Sequence, residues 1–307
     1  MPAEIQPSAG IAIEAGVDVA GEDISRGRLV LRRFLRKKVA VGGLVVLVLL
    51  LLFAFLGPYL TKWDYKSTDY DAFLQRPSSS HWFGTTQIGQ DVFAQTLRGL
   101  QKSLVIGLLT AFVSTGLAAV VGATAGYFGG WADRVLMWFV DLLLVLPAFL
   151  IIAILSPTFR GKTWLIFVFL LAAFSWMITA RIVRGLALSL KEQEFVQAAK
   201  FMGVPPRKII FRHLLPNMSS LLIIDATLNV GGAILAETGL SYFGFGVQPP
   251  DVSLGTLIAD GTRSAITFPW LFLFSGGALI ITVLAVSVIG DGMRDALDPN
   301  STSTTKG

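Results

Sequence analysis

Residues 39–60 read VAVGGLVVLVLLLLFAFLGPYL, a run without a single charge. A helix rises 1.5 Å per residue and the hydrocarbon core of a bilayer is ~30 Å thick, so ~20 apolar residues suffice to cross it. The run closes on Gly57-Pro58, residues that stop a helix. Five further runs of crossing length lie at 103–127, 135–155, 164–182, 218–240 and 270–289. Tyr59, Trp131, Trp164 and Trp270 fall at run ends, where an interfacial belt places aromatic rings. The second run carries Gly107, Gly116, Gly122 and Gly126, which suit close helix packing. The expected fold class is therefore an all-α integral membrane protein with six transmembrane helices, one leading helix followed by a five-helix core over 103–290.

Composition agrees. Of 307 residues, 53% are hydrophobic and only 15% charged, against about a quarter charged in soluble domains. The net charge of +5 does not indicate nucleic acid, because the basic residues flank apolar runs as they do in membrane proteins. The absence of cysteine excludes disulfides, thiolate metal sites and thiol nucleophiles, and His81 and His213 alone exclude a multi-histidine metal centre. Residues 1–25 are small, polar and aperiodic, which predicts a disordered tail rather than a signal peptide.

Lysine and arginine orient the chain. Seven lie between Arg26 and Lys38 and seven more between Arg181 and Arg212. Placing both groups in the cytoplasm requires an even number of crossings between them, which the runs supply, and puts both termini there. Residues 61–102 then form an extracytoplasmic segment, in which Arg98 and Lys102 sit against the trend. On a helix, Arg28, Arg32, Arg33, Arg36 and Lys37 gather opposite Val30, Leu31, Phe34 and Leu35. That pattern fits a basic interfacial helix on anionic lipid, or a plain basic flank.

The longest internal loop, 186–217, carries more organisation than a passive connector needs. Helical periodicity runs to Gly203, and Pro205-Pro206 follow it as a stop. Ala198-Ala199 near that stop would allow close approach to another protein. Val196-Gln197-Ala198-Ala199-Lys200-Phe201-Met202-Gly203, followed by Ile209 and His213-Leu214-Leu215-Pro216-Asn217, resembles the EAA loop of importers powered by ATP-binding cassettes. Three more stretches narrow the resemblance to the C-type permease subunit of dipeptide, oligopeptide and nickel importers. They are His81-Trp82-Phe83-Gly84-Thr85 with Gly89, Asp91 and Val92; 240–250, LSYFGFGVQPP; and 290–299, GDGMRDALDP. Two positions depart from the family pattern. Gln197 replaces the usual glutamate, and 86–90, TQIGQ, stands where an Asp-x-x-Gly-Arg stretch is expected.

The resemblance implies several partners: a homologous second permease, two cytoplasmic ATPase subunits or one fused ATPase, and an extracytoplasmic solute-binding protein. It also implies a coupling loop at Gln197, Ala198, Ala199, Gly203 and Pro216, through which ATP-driven closure would tilt the bundle. ATP and magnesium belong to those partners, so no cofactor, metal or catalytic residue is expected here. The implied location is the bacterial cell membrane, and the implied solute is a short peptide, with nickel or another small peptide-like solute as the alternative. Arg160-Gly161-Lys162-Thr163 mimics part of a phosphate-binding loop, but Ser156 occupies the place of the required glycine. Asp141, ~9 Å into its run, and Asp225 and Asn229, one turn apart, should face the bundle interior or a cavity, because lipid exposure of charge is costly. They are the candidate polar residues of the translocation path, helix-to-helix hydrogen bonding being the simpler alternative. A self-contained secondary transporter is the other function class; it would often show internal symmetry, and none is visible.

Overall fold

The computed structural model describes residues 26–159 and 164–297. The expected disordered tail at 1–25, the fragment 160–163 and residues 298–307 lie outside the described residues. Regular structure is helical throughout the described residues, and the only extended pairings there are two isolated bridges, Thr68 with Gln90 and Thr85 with Asp91.

Two helices come first among the described residues: α1 (Arg26–Arg36), which packs Phe34 against Ala40 and Ala296, and α2 (Lys38–Leu56), which beyond Lys38 follows the charge-free run. After the polar segment comes α3 (Val92–Phe128). It starts eleven residues before the expected second run (103 minus 92), because Asp91 caps it, its carboxylate accepting the Ala94 N–H at 2.7 Å. At 37 residues it is ~55 Å long, well over the hydrocarbon thickness.

The third and fourth runs are not single helices. α4 (Gly130–Val145) and α5 (Ala148–Leu155) meet at a 77° bend. Pro147 lacks an N–H and drives Leu146 into extended backbone, which ends α4. α6 (Leu165–Ser175) and α7 (Met177–Leu190) bend by 48° at Trp176. The Ser156 hydroxyl donates to the Phe245 carbonyl at 2.6 Å, and the Trp164 ring lies 4.4 Å from Lys102 Nζ, so the bend-distal ends of the two pairs meet the N-terminal part of α3 and the segment after α11. Among the described residues, four unbroken helices are long and apolar enough to cross a membrane, and counting each bent pair as one span brings the number to six.

α7 runs through the first five residues of the expected loop (186–190), which beyond it contains only α8 (Glu194–Phe201), α9 (Pro206–Ile209), a π-helical turn and α10 (Leu215–Asn217). The chain closes with α11 (Ser219–Tyr242), the short α12 (Leu254–Thr262) and α13 (Trp270–Leu297). α13 returns to α1, where Lys37 Nζ lies 2.9 Å from Asp295 Oδ2, so both described termini share one end of the bundle.

Glycine makes the core contact possible. A Cβ on Gly122 would sit 2.4 Å from the Ala180 carbonyl oxygen, and one on Gly126 2.5 Å from Ala187 Cβ. Gly107 is similarly crowded by Ile234 at 2.7 Å, whereas nothing approaches Gly116 within 4 Å, so the expected packing role fits three of the four.

At the end opposite the termini, residues 60–91 fold over α3 and α13. His81, buried, places Nδ1 2.8 Å from Asp91 Oδ2 and Nε2 3.3 Å from Asp69 Oδ2, under a stacked Trp63 ring. The Asp71 backbone N–H, and then His81, hold the Asp69 carboxyl below its ordinary range. The divergent stretch 86–90 is a local turn: Gly89 has φ +74°, and the Gln90 amide donates to the Lys66 carbonyl while accepting from Gln95. Arg98 and Lys102, awkward for charge counting, converge on Asp251 at 3.3 and 3.2 Å.

A fully buried carboxylate, Glu237, holds α12. It accepts hydroxyls from Ser241 at 2.5 Å, Ser253 at 2.6 Å and Ser103 at 3.4 Å, and Ser253 in turn caps α12. Removing the acceptor strands three buried donors, each worth ~1–3 kcal/mol when unsatisfied. Glu237→Ala should therefore loosen α12, raising amide exchange over 254–262 by at least about tenfold, while Glu237→Gln retains most of the protection. Unchanged exchange in the alanine variant would show that other contacts hold this helix.

Candidate coupling loop and pathway face

α8 presents two different faces. Val196 and Ala199 are buried with Ala123 of α3 and Val183 and Ala187 of α7. Ala198, Phe195, Phe201 and Met202 point outward, the last two 87% and 75% exposed. The expected docking pair is thus divided. Ala198 is free for a partner, but Ala199 packs into its own bundle, because adjacent helical positions lie about 100° apart. The periodicity assumed from 186 to 203 breaks at 191–193, where the chain leaves α7.

Gly203 has φ +74°, the left-handed conformation that favours glycine. Its N–H donates to the Lys200 carbonyl and the Val204 N–H to the Ala199 carbonyl, at 3.0 and 3.1 Å, a Schellman closure. A Cβ there would touch nothing within 4 Å, so a substitution meets backbone strain alone. Gln197 spends its amide on the Lys191 carbonyl at 2.9 Å. Glutamate has no donor for that bond, so the departure from the family pattern has a local structural use. Pro216, exposed, lies in α10 just past the π-turn, and Asn217 bonds back to the His213 carbonyl at 2.6 Å. Ile209, Ile210, Leu214 and Met218 anchor this second half of the loop in the same buried cluster as Val196. The loop is a stiff appendage on α3 and α7.

The three candidate path residues separate. Asp225 accepts from Thr115 of α3 and Thr179 of α7, both at 2.6 Å, and from Asn229 at 2.9 Å. This knot joins α3, α7 and α11, the helix-to-helix alternative. Asp141 instead lies on an open face. It pairs with Arg181, both side chains about half exposed (56% and 51%), and the pair Asp133–Arg184 sits beside it. Together with Arg134 and Met137 these residues line a cavity of about 340 Å³.

Asp141 lies eleven residues into α4, ~16 Å along it. A charge facing lipid at such depth costs ~2.5–3.5 kcal/mol on insertion scales, so this face of α4 and α7 requires water or protein against it. Arg181, Arg184 and Asp133 are the residues that sequence reasoning missed. In the sequence the two arginines orient the chain, and their three-residue spacing, which puts them on one helix face, is the signal of a second role.

The sequence matches the family model described as "Binding-protein-dependent transport system inner membrane component" over residues 118–302, and that described as "N-terminal TM domain of oligopeptide transport permease C" over 25–77. It is 56% identical over 287 residues to the oligopeptide transport system permease protein OppC of Mycobacterium tuberculosis, covering 93% of this chain and 99% of that protein. It is 39% identical to the protein of the same name in Haemophilus influenzae, covering 87% and 86%. Matched over most of its length, the chain belongs to the family of binding-protein-dependent transport system inner-membrane components.

Proposed function

We propose that this chain is one half of a peptide-translocating pore, working with a homologous permease, separate cytoplasmic ATPases and an extracytoplasmic solute-binding protein. The single observation that carries the reading is the face built from Asp133, Asp141, Arg181 and Arg184, which presents both signs of charge within the membrane span. Such a face suits contact with a paired subunit and passage of a solute that itself carries an ammonium and a carboxylate. The relatives named as oligopeptide permeases support peptides as the solute. Nucleotide chemistry is assigned to the partners, and ATP and magnesium with them. The termini and the loop at 191–217 are assigned to the cytoplasm, on the strength of the basic residues at that end.

The full complex, reconstituted in liposomes with its binding protein, should hydrolyse ATP faster when short peptides are supplied. Arg181→Ala should cut peptide uptake by at least about tenfold with assembly intact, since loss of one partner leaves the other charge unpaired at depth. Stimulation by nickel complexes but not by peptides would overturn the solute assignment, and wild-type uptake in the variant would remove this face from the path. Orientation is tested by introducing single cysteines, the chain having none: an impermeant thiol reagent should label Ser79→Cys on intact cells and leave Ser189→Cys unlabelled. Purified without partners, the chain should not hydrolyse ATP.

A further inference from the structure

The first helix divides its surface three ways. At 100° per residue, Val30 and Phe34 fall together and point into the bundle, where Phe34 is buried with Ala40 and Ala296 and Val30 packs beside them. Leu31 and Leu35 form the next sector and are more than half exposed. Arg28, Arg32 and Arg36 form the sector beyond, all exposed. The helix is therefore not a two-sided amphipath resting its apolar face on lipid. Its largest apolar side chain is already used by the protein, and a second apolar strip is left directly beside the basic one. A soluble anion would need the arginines alone. Leucines beside them, on a helix joined at Lys37 to α2, whose first apolar side chain, Val39, is exposed, match a ligand with a phosphate and an acyl chain side by side.

We propose that α1 is a binding site for anionic phospholipid, with the headgroup phosphate on Arg28, Arg32 and Arg36 and an acyl chain along Leu31 and Leu35. Lys37 is engaged by Asp295, which fixes α1 to the end of α13 and keeps the arginine row turned outward. The site would bind phosphatidylglycerol in preference to phosphatidylcholine of equal chain length, since only the former carries net negative charge.

The test uses the full-length chain within its complex, in detergent, titrated with each lipid and read by native mass spectrometry. Wild-type protein should retain phosphatidylglycerol over phosphatidylcholine. The single variants Arg28→Gln, Arg32→Gln and Arg36→Gln should each lower that preference by about fivefold, from about 1 kcal/mol per basic residue at a lipid surface. Leu31→Asn with Leu35→Asn should weaken retention of both lipids, and Arg76→Gln, exposed at the opposite end, should change nothing. Because the arginines touch no buried cluster, folding of the single variants is checked by unchanged thermal unfolding. Undiminished preference in all three arginine variants would overturn the proposal. So would displacement of the lipid by inorganic phosphate at millimolar concentration, which would reassign the arginines to a soluble anion, or loss of the second permease from the complex without loss of lipid, which would make α1 a protein contact.

Discussion

Phe201→Ala is expected to lower the affinity of the ATPase for this permease by about thirtyfold, with the permease still inserted and folded. Phe201 ends α8 and is 87% exposed, with Met202 next to it, the most exposed of the apolar side chains that this loop turns outward, Phe195 and Phe211 being about half exposed. A large apolar anchor held on a stiff helix is the kind of side chain that dominates an interface, and truncating one typically costs at least ~2 kcal/mol. Nothing in the buried cluster under α8 includes Phe201, so the fold does not depend on it. Ala199→Trp acts differently, because Ala199 is buried against α3 and α7 and a large ring would lever α8 off the bundle. That variant should lose thermal stability and expression, whereas Phe201→Ala should lose only its partner. Co-purification of ATPase at matched permease levels, paired with thermal unfolding of each variant, separates the two. Full association of Phe201→Ala would take the free end of α8 out of the coupling contact.

Gly126→Val should prevent the chain from reaching a stable fold, and Gly122→Val should do nearly the same. Their missing side chains are what allow α3 and α7 to touch backbone to backbone, and the added atoms would meet Ala180, Ala187 and Arg184 inside contact distance. Neither obstruction is the tip of a flexible side chain. Overpacking of this kind costs ~1–3 kcal/mol even where some adjustment is open, and here the α3–α7 seam also carries the Asp225 knot and the base of α8. Gly116→Val, in the same helix with open space around it, is the matched control and should unfold at the wild-type temperature. Equal melting of all three variants in detergent would contradict the close seam.

Much of this architecture is legible in the sequence, for a physical reason. Crossing a bilayer demands apolar length, and that demand is written locally, so the four long apolar helices and the two bent pairs all fall on runs that composition picks out. Helix ends are less legible. The first turns of α3 are polar, because residues 60–91 cover them, and no hydropathy window finds a helix there. The breaks at Pro147 and Trp176 differ in the same way: proline announces the first, and nothing local announces the second. Of the candidate coupling residues, Gly203 is readable because a left-handed closure needs glycine. Ala198 and Ala199 are not distinguishable in sequence, since which of two alanines faces inward depends on where α3 and α7 lie. The pairing of Asp141 with Arg181 is tertiary, joining residues forty apart, and neither spacing nor hydropathy encodes it.

One helix, α3, begins under the His81 cap on one side of the membrane and ends against the base of α8 on the other. Bend and break divide the third and fourth crossings, but α3 runs unbroken for 37 residues. A continuous helix ~55 Å long can act as a lever: a tilt of about 2° about one end carries the other through ~2 Å, a displacement on the scale of a helix shift at a subunit interface. Such a member would pass a small movement at the capped end on to the base of α8, and the reverse, without either end being remodelled.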